Sequence, residues 1–175
     1  PALFDAKTSF GPYQFTEYAL YDTGTERRGA SVINRALPSR ERIPGSVSRL
    51  RGNDHHKAAY LFMIDNFCNL VRKAVKEEEQ KKRSKGKKRS QGGPGPLTVL
   101  RNLTPDDKDQ LVIFAATAHH MPYPALDAAM RWLNGRAQTK PGKKHLPYMS
   151  SCGPHLLKYA KKTNGNIEAL KGFTF

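Results

Sequence analysis

Acidic residues and long apolar runs are scarce in this sequence, and each shortage narrows the function classes open to it. Against 30 lysines and arginines there are 15 aspartates and glutamates, so the formal net charge is +15. This charge implies an acidic partner, and nucleic acid, anionic lipid and the anionic polymers of bacterial cell walls all qualify. No run approaches the roughly twenty apolar residues that a membrane span needs, so we expect no membrane span.

Cysteine is also rare. Cys68 and Cys152 have neither metal-ligand nor redox-motif spacing. Cys68 lies in an apolar helical pattern, where a buried thiol is expected rather than half of a disulfide. We therefore expect no metal site, and the sequence contains no motif that indicates a cofactor.

The first ten residues lack the basic start and the apolar centre of a signal peptide. The chain begins with proline rather than methionine, so we expect it to be a processed or excised piece of a longer protein.

Sustained two-residue alternation of apolar and polar residues is missing, so the sequence favours helices and loops over strands. Apolar spacing predicts a first helix from Asp54 to about residue 75, and Thr104 with Pro105 predicts the cap and first residue of a second. Two further helices are predicted, at 124–134, closed by Gly135, and at 154–163, capped by Asn164 and Gly165 and with a further turn at 166–171 as an option. We therefore predict one mainly α domain over residues 1–175, with long irregular loops.

Two segments are predicted to be irregular. Residues 22–53 are rich in arginine, glycine and proline, with one helical turn expected around 31–37. Residues 77–96 begin with three glutamates and continue as a lysine and arginine run that ends in glycine and proline, which predicts a mobile basic insertion. No aromatic residue is interleaved with the basic run, which argues against a base-stacking surface for single strands.

The stretch from 8 to 21, TSFGPYQFTEYALY, combines a turn with polar and aromatic side chains. Gly11 and Pro12 predict the turn, because glycine accepts almost any φ and proline fixes its own. Gln14 then lies at a rigid corner, where a side chain is suited to hydrogen-bond a ligand. Thr16 is predicted to cap a short helix that follows.

This stretch resembles the signature of the lytic transglycosylases and goose-type lysozymes, which cleave bacterial peptidoglycan. ATAHHMPYPALDAAMRWL is similar to a second motif of that family, in a form found in some phage members, and LPYMSSCGPHLLKYAKK to the segment before its closing helix. The resemblance implies a lysozyme-like helical fold with a sugar-binding groove. It assigns six substrate-binding residues: Ser9, Gln14, Phe15, His119, His120 and Tyr148.

The resemblance also implies roles for five of them. Ser9 and Gln14 would hydrogen-bond acetamido or hydroxyl groups, and Phe15 would form a wall of the subsite. The two histidines would lie at the groove floor, where at most one can face the sugar because adjacent helical residues point about 100° apart.

The reaction of that family needs one carboxylic acid that protonates the glycosidic oxygen and then takes a proton from the 6-hydroxyl of muramic acid. Family spacing places this glutamate fifteen to twenty residues before Gly11, upstream of the first residue. Neither Asp5 nor Glu17 is a convincing substitute. We therefore expect a domain that lacks its N-terminal catalytic segment, or one that has lost activity and only binds.

The implied partners are peptidoglycan glycan strands or another acidic polymer, together with virion or cell-wall assembly partners. The implied location is a virion, the periplasm or the exterior. Two other hypotheses compete with this one. The chain could be a basic nucleic-acid-binding or ribonucleoprotein component, or a non-catalytic virion structural protein that keeps the lysozyme fold.

Overall fold

The computed structural model is mainly helical, which confirms the predicted fold class. It describes residues 9–10, 15–16, 34–35, 37–46, 49–85, 95–138 and 146–171. The chain divides into two compact units, Pro1–Asp65 and Asn66–Phe175, and the boundary falls inside the longest helix.

The first unit contains two short strands where none were predicted. β1 (Ser9–Phe10) pairs antiparallel with β2 (Phe15–Thr16), so that Ser9 lies opposite Thr16 and Phe10 opposite Phe15. Thr16 is therefore a strand residue rather than the predicted helix cap, since β-branched and aromatic residues favour a pleated backbone. Gly11, Pro12 and Gln14 lie outside the described residues.

Residues 37–46 are irregular, as predicted, and one side chain organises them. The amide of Asn34 donates from Nδ2 to the Ile43 carbonyl and accepts from the Ile43 N–H through Oδ1, both at 2.8 Å. Asn34 itself has helical conformation, and a 3-10 helix spans Ser39–Glu41. Because Ile43 is buried, this pair of bonds satisfies its backbone where water does not reach.

Helix α1 (Asp54–Lys85) begins at the predicted residue, where the Asp54 carboxylate accepts from the Arg51 N–H at 3.0 Å. Its end differs from the prediction, because residues 77–85 continue the helix instead of opening a mobile insertion. An ion pair one turn apart, Glu77 to Lys81 at 3.1 Å, supports this continuation.

The next helix, α2 (Pro96–Arg101), begins at the Gly95–Pro96 pair and was not predicted from the sequence. Glu78 Oε1 accepts from the backbone N–H groups of Leu97 at 2.9 Å and Thr98 at 3.1 Å, so a side chain of α1 caps α2. A Cβ at Gly95 would overlap the Glu78 carboxylate. Glycine at this position therefore allows the close approach on which the cap depends.

Three longer helices complete the second unit: α3 (Pro105–His120), α4 (Pro122–Gln138) and α5 (Pro154–Lys171). A 3-10 helix, Tyr148–Ser151, precedes α5. The capping box at Thr104 and Asp107 confirms the predicted start of α3.

The predicted limits of α4 were wrong, since this helix begins two residues before Pro124 and passes through Gly135. Helix α5 begins at Pro154 as predicted, but Asn164 and Gly165 do not end it, and it includes the optional turn to Lys171. Tertiary packing of buried residues such as Ala137 overrides the weak helix preference of glycine.

The core of the second unit lies where α3, α4 and the 3-10 helix pack together. The ring of Phe114 makes edge contacts with Phe67 and Tyr148, at centroid distances of 5.8 and 6.0 Å. Truncation of such a ring to alanine costs about 3–5 kcal/mol. Trp132 is completely buried in this core.

Both cysteines are free thiols; Cys68 is half-buried and Cys152 is buried. Among the described residues, no helix combines the length and apolar character of a membrane span.

Candidate functional site

A groove of about 480 Å³ opens where the end of α3 meets the starts of α4 and α5. Its walls come from α4, from the Met121 junction and from the first turn of α5. The lining residues are Met121, Tyr123, Pro124, Asp127, Arg131, Gly153, Pro154, His155 and Leu156.

The local sequence explains why these elements converge. Helix α3 ends at His120, and its last turn closes through the bond from the Met121 N–H to the Thr117 carbonyl at 3.0 Å. The Met121 carbonyl then accepts from the Ala125 N–H at 3.0 Å, within the first turn of α4. With one residue between the two helices, the end of α3 and the exposed ring of Tyr123 lie close together.

Arg131 of α4 bonds to the segment that leads into the opposite wall of the groove. Its Nε and a terminal nitrogen both donate to the Ser151 carbonyl, at 3.3 and 2.9 Å. Ser151 ends the 3-10 helix from which the chain enters α5. The guanidinium thus positions the Gly153–His155 wall, and its positive charge lies within the groove lining.

Asp127 places one carboxylate in the lining. Its side chain is 56% exposed and pairs with Lys73 of α1. A general acid for glycoside cleavage usually occupies an apolar, buried pocket. The surroundings of Asp127 are instead aqueous and charged, so the geometry does not favour it as that acid.

Beside the groove, His120 stacks on Tyr159 of α5, with ring centroids 4.3 Å apart and an interplanar angle of 8°. Burial lowers the pKa of His120, and the charges of His119 and His155 lower it further. This imidazole cluster links the end of α3 to the groove through His155. Within the described part of the chain, no three histidine, cysteine or acidic residues are grouped closely enough to hold a metal ion.

Of the six predicted substrate residues, His119 and His120 lie at the edge of this site, although neither lines the groove itself. Ser9 and Phe15 lie on β1 and β2 of the first unit, and Gln14 falls outside the described residues. That these residues and the histidines share one sugar-binding groove stays a prediction.

Tyr148 does not fit its predicted role. It is completely buried, and its hydroxyl donates to the Ala125 carbonyl at 3.4 Å. Burial first, and the nearby Cys152 second, raise the pKa of the Tyr148 hydroxyl well above its ordinary value. Tyr148 is a core residue here, because the 3-10 helix that carries it packs inward against α3 and α4.

Sequence reasoning missed Tyr123, Arg131 and His155 as parts of the site. Tyr123 stands between two prolines and His155 follows Gly-Pro, so both lie at helix starts where side chains often face a neighbouring element. Arg131 has no comparable local signal, since only its bonds to Ser151 reveal its place.

The chain matches no protein-family model, no curated protein and no solved structure.

Proposed function

We propose that this protein binds and cleaves peptidoglycan glycan strands in the manner of a lytic transglycosylase, acting at the bond between N-acetylmuramic acid and N-acetylglucosamine. The observation that carries the proposal is the groove lined by Tyr123, Arg131 and His155 at the end of α3. The lysozyme-like resemblance of the motif at 8–21 and of the His119–His120 site supplies the substrate class.

The lining suits an aminosugar strand. An exposed aromatic ring such as Tyr123 offers an apolar face to the ring of a sugar and a hydroxyl to its polar edge. Arg131 and His155 can donate hydrogen bonds to acetamido, hydroxyl or carboxylate oxygens. A groove with apolar walls and a few convergent polar groups is a typical ligand site.

The cleavage step requires a carboxylic acid that gives its proton to the glycosidic oxygen, so that the bond from this oxygen to the anomeric carbon of muramic acid breaks and the N-acetylglucosamine end leaves as an alcohol. The 6-hydroxyl of muramic acid loses its proton to the resulting carboxylate and bonds to the anomeric carbon, which yields a 1,6-anhydro sugar. Because the nucleophile belongs to the substrate, this reaction needs no second carboxylate, unlike hydrolysis by a carboxylate pair.

The binding part is tested by co-sedimentation of the protein with purified, insoluble peptidoglycan. We expect Tyr123→Ala and Arg131→Gln each to weaken binding about 3- to 10-fold, from the loss of ring packing or of a charged donor. Tyr60→Ala is the matched control, because Tyr60 is an exposed tyrosine of α1 that does not line the groove.

If Tyr60→Ala and Tyr123→Ala weakened peptidoglycan binding equally, the groove would not be the binding site. Wild-type protein that sediments with cellulose as well as with peptidoglycan would refute the substrate class. Cleavage is tested separately by mass spectrometry of the soluble products, where anhydromuramic ends are expected. Specific binding without such ends would restrict the protein to a binding role.

A further inference from the structure

Helix α5 extends a basic face away from the groove. His155 lines the groove, and Lys158, Lys161 and Lys162 are exposed on the same helix. At 1.5 Å per residue, Lys158 and Lys162 lie about 5 and about 10 Å beyond His155 along the helix axis. The three ammonium groups therefore begin one turn from the groove and lead outward from it.

Within the described part of the chain, no acidic side chain pairs with the three lysines. The sequence contains no aspartate or glutamate from residue 128 to residue 167. No ion pair joins Lys158, Lys161 or Lys162 to any acidic group among the described residues. Lys158 and Lys162 also repel each other, because residues four apart are neighbours on a helix. The face is thus complementary to an anionic partner.

We infer that this face binds the carboxylates of the acidic stem peptides that branch from peptidoglycan, so that the protein selects peptide-bearing strands over stripped ones. The inference rests on the proposed function, since it requires the glycan to occupy the groove. A bound strand would leave its pendant peptide free to run along α5 toward Lys158 and Lys162.

Distance favours the peptide over the lactyl carboxylate that a stripped strand exposes. The lactyl group is attached to the sugar ring and would stay inside the groove beside Arg131 and His155. An extended peptide covers about 3.3 Å per residue, so its second and third residues reach the 5–10 Å range of Lys158 and Lys162.

Nucleic acid fits this face less well. Binding of single strands relies on aromatic platforms between the cationic groups. Between Lys158 and Lys162 the one aromatic residue of the sequence is Tyr159, and one face of its ring is covered by His120.

The test compares four soluble probes by fluorescence anisotropy against the full chain. They are glycan strands with stem peptides that end in free carboxylates, the same strands with those carboxylates amidated, strands stripped of peptide, and a single-stranded DNA oligonucleotide. The variant is Lys158→Gln/Lys161→Gln/Lys162→Gln. Its matched control is Lys76→Gln/Lys82→Gln/Lys108→Gln, which removes three exposed lysines from α1 and α3.

We expect the α5 variant to bind the free-carboxylate strands about 3- to 30-fold more weakly than wild type, because each exposed charge pair contributes modestly to binding. Binding to amidated and stripped strands should change less than 2-fold, and the control variant should bind all strands like wild type. The wild-type preference for free-carboxylate strands should shrink as salt concentration rises.

An equal loss on all three strands, or no loss on any, overturns the inference while leaving the groove proposal in place. Tighter wild-type binding to DNA than to any strand, with that binding lost in the α5 variant, overturns it in favour of a nucleic-acid surface. If the wild type binds none of the strands, the proposed function itself has failed.

Discussion

Helices α4 and α5 both contact α3, but they differ in whether their charged side chains have partners within the described part of the protein. Each charged residue of α4 has a partner: Asp127 pairs with Lys73, Arg131 bonds to the Ser151 carbonyl, and Arg136 bonds to Asp107. Helix α5 instead presents three exposed lysines that pair with no acidic group in the described part of the chain.

Burial explains the contrast. Arg136 of α4 reaches the completely buried Asp107, and an unpaired charge at that depth is costly. The outer face of α5 is solvated, and water stabilises a charge there without a protein partner. Paired charges in this protein therefore hold helices together, whereas the unpaired ones are available for an external anion.

The largest expected effect comes from breaking the buried pair of α4. Asp107 is completely buried and accepts from Arg136 at 3.1 and 2.8 Å and from the Thr104 N–H at 3.0 Å. We expect Asp107→Asn to lower the free energy of unfolding by about 2–4 kcal/mol, because Arg136 is left without its counter-charge. Urea denaturation measures the change, and Asp106→Asn, exposed in the same turn, should cost about 0.5 kcal/mol or less.

We expect the contribution of the Asp107 carboxylate to the free energy of unfolding to be lost in acid. Burial alone would raise the pKa of Asp107, but its hydrogen bonds from Thr104 and Arg136 and the charge of Arg136 outweigh burial and lower it. Its contribution is therefore complete above about pH 4 and is lost as pH falls through the lower, folded-state pKa. If Asp107→Asn and wild type lost stability in parallel below pH 4, this assignment would be wrong.

A smaller change in the free energy of unfolding is expected when a lysine that pairs with α4 is compared with an unpaired lysine of α5. Lys73→Gln removes a half-exposed pair with Asp127 and should cost about 0.5 kcal/mol. Lys158→Gln on α5 should cost nothing, or stabilise by up to about 0.5 kcal/mol, because it relieves repulsion by Lys162. Denaturation midpoints at low salt measure both changes, and equal losses from the two substitutions would contradict the distinction drawn here.

The smallest effect concerns the contact of α5 with the end of α3. The pKa of His120 is lowered, so the unfolded chain takes up a proton before the folded one does. Stability is therefore highest above about pH 6.5 and declines as pH falls from there toward the folded-state pKa. His119 on α3, together with His155 and Tyr159 on α5, are the titratable groups that face it.

We expect His120→Gln to make the melting temperature less dependent on pH between 8 and 5. His56→Gln, which removes an exposed histidine of α1, serves as the control. The explanation fails if both variants keep the wild-type slope.

The starts of α1, α3 and α5 were predicted correctly, whereas the ends of α1 and α4 were not. Asp54, Thr104 and Pro105 announce their helices through bonds within one turn, so the local sequence suffices. The continuation of α1 to Lys85 depends on Glu78 reaching α2 and on Lys81 donating to Asn134 of α4 at 3.1 Å. Such long-range contacts leave no local pattern.

The site divides in the same way. The last turns of α3 before His119 and His120 are largely buried, and they bring both histidines to the edge of the groove. Tyr148 was assigned to the substrate-binding residues by the same resemblance, but its side chain is buried in the core. The side chain of Arg131, which positions a groove wall, could be recognised only from its bonds to Ser151.

Sequence by itself determined the helical class, the starts of α1 and α3 and the excess of positive charge, because each depends on residue type or on neighbours within a few positions. Tertiary structure alone decided where α1 and α4 end, that Tyr148 and Trp132 are core residues, and which charges are neutralised. Those outcomes depend on groups that are distant in the chain and meet only when helices pack, such as Asp107 with Arg136. The lysines of α5 can be recognised as unpaired among the described residues only once the ion pairs of the folded structure are known.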